Sequence, residues 1–84
     1  MKTAISEYII SDPAICGGKL TFRGTRVMVW QVLDALAQGE SYESILGEWP
    51  ALTHAHIQAG LQFAASRAEG ERVISINPLR EVLA

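Results

Sequence analysis

At 84 residues, with 49% hydrophobic residues and a formal net charge of −2, the chain has room for one domain and is too apolar for intrinsic disorder. No apolar run approaches the ~20 residues needed to span a bilayer, and the acidic balance argues against a nucleic-acid binder held by bulk charge alone. Cys16, the single cysteine, excludes an intrachain disulfide and fits a reducing compartment. The first ten residues, with one lysine and no adequate apolar core, do not form a secretory signal, so the expected location is the cytoplasm. A domain this small buries only ~60% of its chain surface. Self-association, most simply a homodimer, is therefore expected.

The charge is unevenly placed. Lys2, Lys19, Arg23 and Arg26 lie in the first third against only Glu7 and Asp12, so phosphate contacts, if made, belong to that section. Tyr8, Ile9 and Ile10 form a short β-prone run closed by Ser11-Asp12-Pro13, a turn sequence. After the redirecting Gly17-Gly18 pair, Lys19 to Arg23 alternates polar and apolar residues, the period of a half-buried strand with Leu20 and Phe22 inward. Gly24-Thr25 suits a two-residue type II′ turn, which makes Arg26 to Val29 the returning strand of a β-hairpin. A phosphate loop is the poorer explanation of these glycines, because a Walker motif leads into a helix and Gly18-Lys19 leads into a strand.

From Val29 the period changes. Val29, Val32, Leu33, Leu36 and Ala37 share one helical face, Gln31, Asp34 and Gln38 the other, and Gly39 is a natural C-cap. Ser41 can cap a second helix whose inner face is Tyr42, Ile45, Leu46 and Trp49, and Pro50 stops it. Thr53 restarts the chain as a third helix with a stripe of Ile57, Gly60, Leu61, Ala64, Ala65 and Ala68, where Gly60 would admit a neighbouring backbone. The fold class expected is mainly α with a small β part: an N-terminal β-hairpin packed on a three-helix, helix-turn-helix-like bundle. Residues 1–70 make that domain and residues 71–84 an arm that needs a docking surface, with a short strand from Arg72 to Ile76 and a short helix started by Asn77-Pro78 and running through Ala84.

His54, Gln58, Gln62 and Ser66 follow one another at i+4 on the third helix, uncharged and able to donate and accept hydrogen bonds. No Asp or Glu occurs from Trp49 to Ala68, which is what approach to a phosphate backbone requires. Two readings stay open: a DNA-reading helix, and a helix that only packs. His54 and His56 are spaced i, i+2 and point apart on a helix, so no metal site is expected; His54 is a surface group and His56 a partly buried one. The sequence places no serine, histidine and carboxylate together for catalysis, and neither an enzyme nor a cofactor is expected. Trp30, Trp49, Tyr42 and Phe63 sit within helical apolar stripes and read as core or interface aromatics.

Gly18-Lys19, Arg23-Gly24-Thr25-Arg26-Val27, the junction from Gly39 to Ile45, and Pro50-Ala51-Leu52-Thr53 followed by Ile57 together resemble the domain of unknown function 433 family over the stretch from Ile5 to Ala68. That family is grouped with helix-turn-helix domains. Leu20 stands where it commonly has proline, and His54-Ala55 where it has an acidic pair. The resemblance implies an antitoxin related to VapB-type antitoxins, whose partner is a PIN-like ribonuclease toxin and whose own operator DNA is a second target. On that reading Lys19, Arg23, Arg26, His54, Gln58 and Gln62 are the DNA-contacting residues. Val73, Ile74, Ile76, Leu79, Val82 and Leu83 in the arm are the toxin-binding ones. The other class is a protein-interaction module that packs against a partner chain without touching DNA.

Overall fold

A computed structural model describes residues 1–70, so the strand and helix expected from Arg72 to Ala84, and the toxin-binding residues among them, lie outside the described residues. Within it, three short strands precede three helices. The strands are β1 (Thr3–Ala4), β2 (Ile9–Ser11) and β3 (Leu20–Phe22); the helices are α1 (Val29–Ala37), α2 (Tyr42–Glu48) and α3 (His54–Gly70). The chain is mainly α with a small antiparallel sheet in the order β1-β2-β3.

The sheet corrects the expected hairpin. β3 pairs with β2, Ile9 opposite Phe22, Ile10 opposite Thr21 and Ser11 opposite Leu20. The Arg26 to Val29 strand is reduced to one bridge between Thr21 and Met28, because α1 already begins at Val29. Nor is the turn type II′. Thr25 N–H donates to Phe22 O at 3.0 Å, which puts Gly24, at φ +81°, third in the turn, where type II turns demand positive φ. The Thr25 hydroxyl then donates to Phe22 O and accepts from Val27 N–H, opening the loop wider than a two-residue hairpin.

Alternation also misreads Thr21, which is wholly buried rather than outward. Ile9 and Phe22 share one face of the sheet and Ile10 and Thr21 the other, and all four are sealed from solvent. With both faces closed, the polar-apolar period no longer reports exposure. Among the described residues the Thr21 Oγ1 has no hydrogen-bond partner.

Each helix start is explained by its own residues. Ser41 Oγ accepts from Ser44 N–H at 3.1 Å, the expected N-cap of α2. In α1, Gln31 Oε1 reaches back to accept from Met28 N–H at 3.0 Å, and in α3 His56 Nδ1 does the same for Thr53 N–H at 3.0 Å. Both are the returning half of a capping box, in α3 with histidine in place of the usual Glu or Gln. α1 ends in a Schellman motif: Gly39 N–H donates to Leu36 O, Glu40 N–H to Ala35 O, and Gly39 takes φ +92°.

The core is one cluster of Ile9, Phe22, Val29, Val32, Ala35, Ile45, Leu52 and Ile57 between the sheet and the helices. α1 packs on β3, α2 and α3. Its inner face includes Ala35, whereas Ala37 is exposed. The α3 stripe is buried at Ile57 and Gly60, half-buried at Leu61 and Ala64, and exposed at Ala65 and Ala68, because the last turns of α3 run past the core. What Gly60 admits is the Phe22 ring rather than a backbone. Among the described residues no helix is long and apolar enough to cross a membrane.

Candidate functional site

The polar stripe of α3 is exposed throughout: His54, Gln58, Gln62 and Ser66 all face solvent. A stripe built of i+4 steps turns about 40° around the helix at each step, so its two ends have different surroundings. At the first turn, the His54 ring leans on Tyr42 of α2 with centroids 5.3 Å apart. Farther along, Gln62 and Ser66 border a groove of about 230 Å³ shared with Ile5, Ser6, Ala59 and Phe63. Gln58 therefore stands between a helix junction and an apolar groove, with no acidic neighbour on its own helix until Glu69.

His56 is committed elsewhere. A backbone amide can only donate, so the Nδ1 that accepts from Thr53 serves as an acceptor. The Thr53 hydroxyl lies 2.9 Å from the same nitrogen, and the ring sits edge-on to Tyr8 at 5.2 Å and Phe22 at 5.7 Å. This histidine fixes the start of α3 and seals it to the sheet.

Lys19, Arg23 and Arg26 are all exposed, and Arg23 and Lys19 have different surroundings. Arg23 donates from Nε to Glu7 O at 2.7 Å and from a terminal nitrogen to Ser6 O at 3.3 Å, pinning the turn between β1 and β2. Lys19 lines a second groove, about 220 Å³, with Leu20, Val29, Trp30, Leu33 and Phe63. Phe63 is five residues beyond Gln58, about 140° around the helix, so Lys19 belongs to a different side of α3 from Gln58.

The reading from sequence missed the prominence of Trp30. It is 54% exposed and forms a ridge between the Lys19 groove and a third groove, about 230 Å³, that contains Asp34, Glu40, Glu48 and Trp49. A signal for it was available, since Trp30, Leu33 and Ala37 repeat at i, i+3, i+7 beside the main stripe of α1.

The profile of a family described as "Protein of unknown function (DUF433)" matches residues 9–64, two thirds of the chain. The chain belongs to the DUF433 family. Its matched span runs from β2 to the middle of α3 and so takes in the whole core. Among curated relatives of this DUF433 chain, the uncharacterized protein y4eO of Sinorhizobium fredii is 39% identical over 70 residues, 82% of this chain. The aligned region is 32% of that protein, so the chain spans about a third of its length. No solved structure matches.

Proposed function

We propose that this DUF433 chain is the antitoxin of a toxin–antitoxin pair, capturing a PIN-like ribonuclease through residues 71–84 and acting at its own promoter through α2 and α3 as a helix-turn-helix on a three-helix bundle. The observation that carries the DNA half is the exposed, uncharged start of α3. His54 and Gln58 occupy its first two turns, no acidic residue falls between Trp49 and Ala68, and a short turn at Pro50 joins it to α2. First-turn side chains of a recognition helix are those that reach base edges, and glutamine suits a bidentate contact with adenine. Lys19, Arg26 and Gln62, all exposed, are the further DNA contacts of this reading. Arg23 is held by the carbonyls of Ser6 and Glu7. The cytoplasm and a homodimer are part of the same proposal.

The test is fluorescence anisotropy with the chain's own promoter and a scrambled duplex at two salt concentrations, with and without the product of the adjacent gene. Gln58→Ala should weaken promoter binding by ~1 to 3 kcal/mol while leaving toxin capture intact. Equal binding to both duplexes, or to neither, would remove the DNA half. The reading then left is a protein-interaction module, which the 54% exposure of Trp30 favours independently.

A further inference from the structure

We propose that the ridge formed by Trp30, with the grooves on either side of it, is a docking surface for a basic amphipathic helix of another protein. This stands apart from the DNA reading and from the arm at residues 71–84, since it uses neither α3's polar stripe nor the tail. On one side of the ridge, Leu20, Val29, Leu33 and Phe63 line, together with Lys19, a groove of about 220 Å³ whose apolar wall accepts an apolar anchor. On the other side, Trp49 joins Trp30 in a groove of about 230 Å³ whose charged groups are Asp34, Glu40 and Glu48.

Charge complementarity selects the occupant. From Val27 to Ser66 the chain carries no lysine or arginine, while Asp34, Glu40, Glu43 and Glu48 all fall in that stretch. Two of the groove's carboxylates are already oriented by neighbours: Asp34 Oδ2 accepts from Gln38 Nε2 at 2.9 Å, and Glu40 Oε1 accepts from Ser44 Oγ at 3.0 Å. Those donors are neutral, so neither offsets the negative charge. Guanidinium groups pair with carboxylates and stack on indole faces, and the groove supplies both. A helix presents an apolar residue and a basic residue three or four positions apart on one side, which matches an apolar groove and an acidic groove separated by one tryptophan ridge.

The experiment titrates the 15N-labelled 84-residue chain with two helical peptides of one leucine and alanine stripe, one with arginine and one with glutamate at its polar positions. The arginine peptide is expected to shift the Trp30 and Trp49 indole resonances and the Asp34 amide, and to bind at least tenfold more tightly than the glutamate peptide. Trp30→Ala should lower its affinity tenfold or more. The combined Asp34→Asn, Glu40→Gln and Glu48→Gln variant should erase the preference between the two peptides, with thermal melts checking that each variant is folded. Equal affinity for both peptides, shifts mapping elsewhere, or no binding would overturn the proposal. So would nuclear Overhauser contacts from residues 71–84 to the Trp30 indole in the free protein, or dilution-dependent indole shifts that Trp30→Ala removes. Those results identify the chain's own tail or a second copy as the occupant.

Discussion

Phe22 and Gly60 meet where the sheet crosses α3, so closely that a Cβ at Gly60 would lie 3.3 Å from Phe22 Cζ and 3.7 Å from a methyl of Val29. Phe22 is completely buried, so the ring has nowhere to move. Alanine at position 60 would gain ~1 kcal/mol of helix propensity, against ~1 to 3 kcal/mol for overpacking. Gly60→Ala is expected to destabilise by roughly 1 kcal/mol and Gly60→Val by considerably more. Phe22→Leu in the Gly60→Ala background should restore part of the loss, giving a coupling of ~0.5 to 3 kcal/mol in a urea-denaturation cycle. Additive effects would mean that the two residues do not share this space.

Thr21 offers the opposite case, a substitution that should help. Its hydroxyl is buried without a partner among the described residues, and an unsatisfied buried polar atom costs ~1 to 3 kcal/mol. Thr21→Val keeps the shape and removes the unpaired atom, so it is expected to raise stability by about 1 kcal/mol. That corresponds to roughly 4 to 8 °C in the thermal midpoint of a domain this size. A midpoint that falls would show that the hydroxyl is satisfied in solution.

Arg23 and Arg26 look interchangeable in sequence, and the hydrogen bonds separate them. Arg23→Ala loses two bonds to the Ser6 and Glu7 carbonyls and should lower stability by about 1 kcal/mol, with little specific effect on DNA. Arg26→Ala should change stability by less than about 0.5 kcal/mol. If DNA is bound, Arg26→Ala should reduce the salt slope by about one unit on promoter and scrambled duplexes alike. Denaturation curves and salt titrations of both variants decide it, and an equal slope change in both would reverse the assignment.

His56 tests the start of α3. His56→Ala removes both the acceptor for Thr53 N–H and the ring packed on Tyr8 and Phe22, for an expected loss of roughly 1.5 to 3 kcal/mol. His56→Gln should recover about half, because glutamine supplies the same returning acceptor that Gln31 supplies in α1. Urea midpoints of the two variants are the measurement. Equal losses would mean that the cap contributes nothing.

The helices were legible in the sequence because their determinants are local. Ser41 caps the helix that its own next residues form, Gly39 supplies the positive φ that ends α1, and Pro50 separates α2 from α3, each acting within a few residues. The exposed stripe of His54, Gln58 and Gln62 was legible for the same reason, since helical spacing alone assigns its face.

What only the tertiary structure decided depends on partners distant in sequence. β3 could have paired with the segment after its turn or the one before its loop; it took β2, whose Ile9 brings a second apolar side chain to the face that Phe22 turns toward the helices. That choice carries Thr21 into the interior, draws Arg23 onto the turn of residues 6 and 7, and seats Phe22 against a residue 38 positions away at Gly60. It also leaves Lys19 beside Trp30 and Phe63 instead of Gln58. Periodicity sorts residues into faces but does not say which faces will meet. That is settled by the burial gained when sheet and helices close on one core, a sum over the whole chain that no local window contains.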